Sequence, residues 1–563
     1  MKNILHQMIV LLAVLFFTVS CDDFLKEEPK GRLTNEEAFT KKEDLMGSVY
    51  ALYWQVEKSS KAMRNHTIWL QGEDLSTHPA SNKASFREFD MLNVSDENAD
   101  LTINTGGWFW WWKVIKAANF IINGADKTPN VSQDELTFAK GQAYLWRAIA
   151  YFALVRVWGP VPLVMTGEID PNIMPSKVSE IFELIVSDLQ EAEKLPSTYN
   201  AAPFAINGVY RIGNKAAAQA ALAYVYMYMA GWPLDYGKEY YQKSAAKSLE
   251  VIQGVENGTY YYQMFDEFWK IHSKEHNLKN TEAILAIYYS DVIGTGDNSH
   301  AQRGCYNDIQ ECTGGSSNCR AEIGFFCDFP DGDRKEYTYA PYTYYLAKEM
   351  HFRWWSEELP PLERHPYSRK TAFTSWGKPF NDEEWDHKKS YADQTNGWSL
   401  QINQVIRLAQ VYCWYAEAVG RADLTAQFPK AIELLNKVRN RANGASNLVR
   451  DIYSAGMTAE AIADAAYDEH GWEIGCWYMG SLVPRYSDQQ RMNRVKEHYE
   501  RRMSDPEYKF TDPDTGNEIK IRENVAVKPT EPWSIEKMYV PYAAADKRIN
   551  PKLADVKKFD MIK

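Results

Sequence analysis

Paired carboxylates are the side chains in this sequence that come closest to a catalytic pattern. Two adjacent pairs, Glu357-Glu358 and Glu383-Glu384, are of the type that glycosidases use on a glycosidic bond. With 75 acidic residues such pairs also occur by chance, which favours a solvated surface role. The sequence has no Gly-x-x-x-x-Gly-Lys phosphate loop, no His-Glu-x-x-His zinc motif and no Gly-x-Ser-x-Gly nucleophile elbow. We therefore predict that the protein is not an enzyme, and a surface glycosidase is the least favoured alternative.

The sequence Cys-Asp-Phe-Pro-Asp-Gly-Asp at residues 327–333 offers a possible metal site. Asp328, Asp331 and Asp333 surround a glycine turn, and clustered carboxylate oxygens suit a hard cation such as calcium. The spacing is not that of an EF-hand, so an ordinary polar turn is the favoured interpretation. We expect no cofactor, with calcium at this turn as the alternative.

The N-terminus predicts export and a lipid anchor. Lys2 is followed by an apolar run at residues 9–17 that is too short to span a bilayer. The small residues Thr18-Val19-Ser20 complete a pattern typical of a secretory signal over residues 1–20. Because Cys21 follows directly, we predict a lipoprotein acylated on that thiol. A plain secretory signal with a chance cysteine is the alternative.

The remaining six cysteines fall into two groups. Cys413 and Cys476 lie in apolar surroundings and are predicted to be buried hydrophobic residues. In an exported protein, an even number of cysteines in one Gly- and Ser-rich segment predicts two disulfides, with three possible pairings. Zinc is the alternative, but no Cys-x-x-Cys pair is present. The four disulfide candidates are Cys305, Cys312, Cys319 and Cys327.

Composition narrows the class of partner. The 563 residues carry a formal net charge of −12, which argues against nucleic acid because phosphate binding needs a basic surface. Aromatic residues are abundant, with 19 Trp, 35 Tyr and 23 Phe. Such side chains either fill a large core or form flat platforms for sugar rings and peptides. Composition leaves both uses open.

A repeated helical theme must position these residues. An Ala- and Tyr-rich helix, a break and an amphipathic helix recur, and small residues at helical spacing let neighbouring helices approach closely. The theme resembles tetratricopeptide repeats, but its spacing is irregular. We predict a mainly α fold of irregular tetratricopeptide-like helical pairs. The predicted helices are 136–158 with 179–195, 212–230 with 240–253, 402–422 with 429–442, and additional helices at 108–126 and 488–503.

The helical theme stops at about residue 255 and resumes at about 402. The intervening segment is rich in Gly, Pro and Trp and has short β-like runs such as residues 283–289. We interpret it as a large loop-rich insertion, over about 255–400, into a helical scaffold of about 37–254 and 402–470. Residues 21–563 are thus predicted to form a single domain. Loops held on a rigid frame commonly carry binding residues.

Several segments together resemble one known family. They are Asp23-Phe24-Leu25 after Cys21, residues 147–163 (RAIAYFALVRVWGPVPL), 406–417 (IRLAQVYCWYAE), 431–441 (AIELLNKVRNR), and near the end Tyr539-Val540-Pro541 and Asn550-Pro551-Lys552-Leu553. With these motifs the chain resembles, over nearly its whole length, the SusD/RagB family of nutrient-binding lipoproteins of Bacteroidetes. The late helix motif of that family is matched only in part, at residues 469–474.

The resemblance implies a fold and a role. The expected fold is SusD-like, with four irregular helical repeat pairs and a loop-rich lobe. The expected role is a lipid-anchored protein exposed on the outer membrane, which binds oligosaccharides and delivers them to a SusC-like TonB-dependent transporter. A RagB-like partner of the same type of transporter, with peptide as cargo, is the alternative.

The resemblance also implies where the ligand binds. In the family, ligand contacts come from the loop before the early Trp-rich helix and from the central insertion. Sugar binding needs an aromatic face together with polar groups that orient hydroxyls. For each tryptophan, packing in the core is the alternative. The candidate ligand-binding residues in these two regions are Trp69, Asp74, Arg87, Asn98, Trp354, Trp355, Trp376 and Trp398.

Overall fold

The structure is a computed structural model. No helix among the described residues combines the length and the hydrophobicity needed to cross a bilayer. The predicted signal and Cys21 lie outside the described residues. These are 38–62, 73–77, 84–101, 107–166, 170–200, 204–206, 209–273, 276–288, 320–340, 342–345, 348, 350–368, 402–445, 448–475, 484–523 and 528–563.

Helices dominate the described part of the chain, which confirms the predicted fold class. Before residue 257 they are α1 (Lys42–Ala62), α2 (Ala84–Asp90), α3 (Trp108–Gly124), α4 (Gln133–Trp158), α5 (Val178–Ala192), α6 (Lys215–Ala230) and α7 (Lys238–Glu256). The central segment contains α8 (Ile323–Asp328) and α9 (Asp333–Thr338). The later helices are α10 (Leu408–Arg421), α11 (Phe428–Asn443), α12 (Ala459–Ile474), α13 (Arg485–Arg491), α14 (Val495–Ser504) and α15 (Ala544–Ile549).

Local sequence signals explain where the scaffold helices begin and end. Helix α4 begins after Ser132, whose hydroxyl accepts the Glu135 N–H at 3.2 Å while the Glu135 carboxylate accepts the Ser132 N–H at 3.0 Å. This reciprocal capping satisfies two otherwise unpaired donors. The helix ends at Gly159, whose φ of 75° suits glycine. Asn214 caps α6 in a similar way by accepting the Ala217 N–H.

Packing of neighbouring helices forms the core. Helix α4 contacts α3 and α5, α6 contacts α7, and α10 contacts α7, α11 and α12. Every residue of α6 after Lys215 is buried. Its alanines permit close approach, and its tyrosines fill the remaining gaps: the Tyr228 ring stacks on Phe182 at 5.6 Å, and the Tyr224 ring lies 5.1 Å from Trp414. The predicted role of the small residues is confirmed, and the tyrosines of this helix belong to the core.

Short strands form separate two-stranded pairs in the described part of the chain. They are β1 (Ser76–Thr77), β2 (Ala205–Ile206), β3 (Val209–Tyr210), β4 (Ala283–Ile287), β5 (Arg320–Ala321), β6 (Tyr339–Ala340), β7 (Tyr342–Tyr345), β8 (Met350–Arg353), β9 (Tyr367–Ser368), β10 (Asn403–Arg407), β11 (Glu507–Thr511) and β12 (Glu518–Arg522). All described pairings are antiparallel and two-stranded: β1–β5, β2–β3, β4–β10, β6–β9, β7–β8 and β11–β12. The β4–β10 ribbon holds both ends of the segment at residues 288–402 together.

Two predicted helices differ from the structure. The helix predicted from residue 402 begins at Leu408, and the residues before it form β10 against β4. The β-branched side chains of Val405 and Ile406 favour the buried strand over the helix. The polar helix predicted at 488–503 is two helices, α13 and α14, separated by a turn in which Asn493 has a φ of 55°. Asparagine tolerates this left-handed backbone conformation better than most residues do.

A buried ion cluster connects the central segment to the helical scaffold. Glu473 on α12 binds Arg407 at 2.6 Å and Arg441 at 2.5 Å through one oxygen, and Arg334 on α9 at 3.1 Å through the other. Glu282 also binds Arg441, at 2.6 Å. Burial alone would raise the pKa of Glu473, but the charges of Arg441, Arg407 and Arg334 lower it well below its usual value. The cluster fixes α9, and hence the loops beside it, to the helices.

Candidate functional site

A cleft of about 1020 Å³ opens in the lobe formed by the central segment and the β11–β12 hairpin. Its walls come from α8, α9, the turn after β8, and the hairpin. This volume suits a small ligand or part of an oligomer. The aromatic residues that line the cleft are Phe326, Phe329, Tyr337, Tyr339, Trp354, Trp355 and Phe510.

Four of these aromatic rings pack into one unit. Trp354 is only 1% exposed, and its ring stacks on Phe510 with 5.3 Å between centroids. The edge of Phe326 meets Trp354 at 5.0 Å. Trp355 lies perpendicular to Trp354 at 5.2 Å and is half-buried. Trp354 therefore supports the unit from within, while Trp355 keeps surface that a ligand can contact.

A charged pair lies beside the aromatic unit. The Nε and Nη2 atoms of Arg353 bind the two carboxylate oxygens of Asp514 at 2.7 and 2.5 Å. The hydrogen bond from Arg353 lowers the pKa of Asp514, so this carboxylate is charged at neutral pH. The guanidinium lies 4.1 Å from the Tyr342 ring and 5.4 Å from the Trp355 ring. Two-point pairing and ring contacts hold the guanidinium in one orientation next to Trp355.

Further polar groups complete the cleft. Burial raises the pKa of Asp328, an effect that the nearby charge of Arg501 reduces. The Lys335 ammonium lies 4.7 Å from the Phe326 ring and 3.3 Å from Asp331. The cleft thus combines hydrogen-bond donors and acceptors with half-buried aromatic side chains, among them Trp355. That combination can bind the apolar face of a sugar ring and orient its hydroxyl groups.

The three aspartates proposed as an alternative calcium site have separate partners. Asp331 binds Lys335, Asp328 lies 4.0 Å from Arg501, and Asp333 accepts the Ala445 N–H at 3.2 Å. Within the described part of the chain, no group of three His, Cys, Asp or Glu side chains is arranged to hold a metal ion. The turn at 327–333 is therefore organised by cations and backbone of the protein itself.

The paired glutamates do not form part of the cleft. Glu357 and Glu358 are exposed, and Glu358 pairs with Lys348. Neither residue lines the cleft. Glu383 and Glu384 lie outside the described residues. The surface interpretation of the first pair agrees with its position.

The predicted disulfide involving Cys327 is not formed in the structure. Cys327 lies on α8 with a free thiol that lines the cleft, and burial raises its pKa to about 11. The three candidate partners, Cys305, Cys312 and Cys319, lie outside the described residues, as does Cys476. Cys413 is a buried free cysteine, and burial raises its pKa well above the usual value. The sequence predicted that Cys413 is a buried hydrophobic residue.

The candidate ligand residues have different surroundings. Trp354 and Trp355 both lie at the cleft, whereas Asp74, Arg87 and Asn98 do not line it. Asp74 binds Arg485 at 3.0 Å, and the buried Asn98 amide donates to Glu88 at 2.7 Å and to the Ser85 carbonyl at 3.0 Å, so these two support the fold. Arg87 is half-buried on α2. Trp69, Trp376 and Trp398 lie outside the described residues.

Among the contributors to the cleft that were not predicted are Phe326, Arg353, Phe510 and Asp514. Phe510 and Asp514 belong to the β11–β12 hairpin, which the sequence analysis did not identify. A local signal existed, because residues 507–511 alternate polar and apolar types and a Gly-containing polar turn follows at 512–517. Phe326 and Arg353 carried no such signal, since their roles depend on partners distant in sequence.

Glu73, next to the candidate Asp74, is an unusual buried acid. It is 2% exposed and accepts a hydrogen bond from the Ser76 hydroxyl at 3.0 Å. Burial, together with the neighbouring charge of Asp74, raises the pKa of Glu73 to about 8. The carboxyl group is therefore mostly protonated at neutral pH in the folded protein, but ionised in the unfolded chain.

This difference predicts a pH-dependent stability. Between about pH 4.5 and 8 the folded protein holds a proton on Glu73 that the unfolded chain does not, so stability should fall as pH rises. The slope from this residue is up to about 1.4 kcal/mol per pH unit. Glu73→Gln removes this slope. In urea denaturation, the stability of the variant relative to wild type should therefore increase as pH rises through this range. Parallel curves of unfolding free energy against pH for wild type and Glu73→Gln would contradict the assignment. Glu433→Gln, at an exposed position, is the control.

Comparisons with known families match two parts of the chain. A family model described as starch-binding associating with outer membrane matches residues 23–227, and the model of the SusD family matches residues 336–555. The second match begins within the central segment, and residues 228–335 lie between the two matches. The chain belongs to the SusD/RagB family. The resemblance inferred from the motifs is confirmed.

Relatives and solved structures agree with this assignment. A SusD-like protein of Bacteroides ovatus is 24% identical over 520 residues, covering 86% of this chain and 84% of the relative. A SusD homolog from Bacteroides thetaiotaomicron has the same fold, with a TM-score of 0.69, 16% identity and coverage of 92% and 97%. Another similar structure, crystallised with a xylogluco-oligosaccharide, has a TM-score of 0.65, 18% identity and coverage of 91% and 98%. These structural matches show that the SusD-like fold extends over nearly the whole chain.

Proposed function

We propose that this SusD/RagB-family protein binds oligosaccharides at the cleft around Trp355 and delivers them to a SusC-like TonB-dependent transporter. The observation that carries the proposal is the position of Trp355, a half-buried ring supported from below and flanked by the fixed Arg353–Asp514 pair. An aromatic surface beside oriented charged groups recognises sugar rings without needing a catalytic group. A similar structure has been crystallised with a xylogluco-oligosaccharide, which supports this ligand class.

The proposal also states where the protein is located and that it does not hydrolyse its ligand. A lipid on Cys21 would tether the protein to the outer membrane at the cell surface, where it meets oligosaccharides before import. Replacement of Cys21 by Ala should release the protein from the membrane fraction and reduce its co-purification with the transporter. Retention of Cys21→Ala in the membrane fraction would contradict the anchor. Incubation with candidate oligosaccharides should yield no cleavage products, and hydrolysis would favour the glycosidase alternative.

Ligand class is tested by an array. The mature chain, residues 22–563, is applied to plant, host and microbial oligosaccharides with a peptide pool alongside. We expect saturable binding to a small set of glycans and none to peptides. Peptide binding without a glycan signal would favour the RagB-like alternative and assign the aromatic residues of the cleft to packing.

A further inference from the structure

A second cleft, of about 670 Å³, lies among the C-terminal segments of the protein. It is built from the turn at residues 92–94 and from segments within residues 534–560. None of its lining residues belongs to the cleft around Trp355. The aromatic and lysine side chains that line it are Tyr539, Tyr542, Phe559, Lys537, Lys547, Lys557 and Lys558.

The lysines of this second cleft differ in whether a carboxylate is in ion-pair contact with them. Lys547 forms an ion pair with Asp96 at 2.8 Å. The Lys537 ammonium instead donates to the backbone carbonyl of Leu92 at 3.3 Å, and that of Lys558 donates to the carbonyl of Val540. Within the described residues, neither ammonium has a carboxylate in ion-pair contact. Both therefore lack an anionic partner within the described part of the protein, which an incoming anion would supply.

Burial adds to the lack, among the described residues, of a carboxylate partner at Lys537 and Lys558. The two acids that line the cleft, Glu536 and Asp560, are exposed, whereas Lys537 and Lys558 are half-buried. Burial, then the charge of Lys547, lowers the pKa of Lys558 well below its usual value. Burial also lowers the pKa of Lys537, against the attraction of Glu531. A buried cation has lost part of its hydration. If it has no carboxylate partner, binding of an anion stabilises it most.

Aromatic rings supply an apolar wall next to this charge. The rings of Tyr539 and Phe559 lie 5.7 Å apart, and the Lys558 ammonium is 4.0 Å from the centre of the Tyr542 ring. Tyr539 and Tyr542 are at most 5% exposed and support this wall from within, whereas Phe559 is half-buried and keeps surface that a ligand can contact. A ligand that fits has a flat apolar face and an oxyanion.

We propose that the second cleft binds an anionic sugar residue, with its oxyanion at Lys537 and Lys558 and its ring against the aromatic wall. The oxyanion is either the carboxylate of a uronic acid or a sulfate ester. This site is independent of the cleft around Trp355, and it would let the protein bind an acidic residue of a glycan at a second point.

The test uses the intact mature protein and three monosaccharide probes: D-galacturonate, D-galactose 6-sulfate and neutral D-galactose. Titration calorimetry should show saturable binding of at least one acidic probe and at least about tenfold weaker binding of D-galactose, since a hydrogen bond to a charged group carries that much affinity. Preference between the acidic probes identifies the carboxylate or the sulfate as the source of the oxyanion. No saturable binding of either acidic probe, or equal binding of D-galactose, would overturn the proposal.

Variants locate the binding. Lys558→Gln and Lys537→Gln should each weaken binding of the acidic probe about tenfold or more, whereas Lys552→Gln, at an exposed lysine outside the cleft, should change it less than about twofold. If Lys558→Gln fails to fold, as judged by its melting curve, Lys537→Gln alone decides the question. Affinity unchanged in a folded lysine variant would refute the assignment. Because the substituted lysines do not line the cleft around Trp355, failure here leaves the proposed function untouched.

Discussion

Glu473→Gln should destabilise the protein by about 3–5 kcal/mol, the cost of removing one partner from a buried ion pair. One Glu473 oxygen binds Arg407 and Arg441, and the other binds Arg334. All four side chains are at most 2% exposed, so water cannot replace the lost charge. The remaining acids would then face an excess of buried guanidinium groups. Urea denaturation followed by circular dichroism should show a markedly lower midpoint for the variant.

Two measurements distinguish the loss of the buried Glu473 charge from a nonspecific effect of a Glu→Gln substitution. Glu433→Gln removes an exposed ion pair with Lys430 and should cost less than about 1 kcal/mol. The Glu473 contribution should also depend on pH, because its pKa is lowered in the folded protein. Its contribution is full above the ordinary value of 4.5 and is lost as pH falls below it. The difference between wild type and Glu473→Gln should therefore narrow in acid. Equal midpoints for the two glutamate variants at neutral pH would contradict the cluster's role.

Gly420→Ala should destabilise the scaffold, whereas the same change at Gly47 should stabilise it. A Cβ atom at Gly420 on α10 would lie 2.5 Å from the carbonyl oxygen of Ala459 and 2.8 Å from the Cβ of Ala463 on α12. Relief requires two packed helices to separate, at a cost of about 1–3 kcal/mol. At Gly47, in the exposed face of α1, a Cβ meets nothing within 4 Å. There alanine should add about 0.5–1 kcal/mol through its better helix propensity.

Melting temperatures of the two variants test this pair. Opposite signs are expected, with Gly420→Ala lower and Gly47→Ala higher than wild type. A neutral Gly420→Ala would mean that α10 and α12 do not approach as closely as the structure shows. The interface between these helices would then lack the close contact that requires glycine.

Helices of the scaffold were predictable because their signals are local. Alanine and tyrosine at helical spacing, the Gly159 and Pro160 break, and the Ser132 cap all lie within a few residues of the elements they define. Residues 402–407 were wrongly assigned because their strand depends on pairing with β4, more than 100 residues earlier. Tertiary contacts of that kind override local preference.

The candidate site was predictable only in part. Trp354 and Trp355, which line the cleft, were proposed because the family resemblance pointed to the central segment and tryptophan suits sugar rings. The support from Phe510 and the pairing with Asp514 arise from a hairpin about 160 residues later in the chain. Likewise, the pairing of Glu282 with Arg441 spans 159 residues, so the cluster that fixes α9 had no local sequence signal. Distant pairings of this kind determine which of the candidate residues meet.

The most direct test of the central claim is calorimetric titration of an array-selected oligosaccharide against wild type, Trp355→Ala and Trp54→Ala. Trp54 is the matched control, since it is 46% exposed on α1 and does not line the cleft. We expect Trp355→Ala to weaken binding about tenfold or more, because an aromatic stacking surface is lost, and Trp54→Ala to bind as wild type does. Equal affinity of all three proteins would contradict the assignment of the binding site to this cleft.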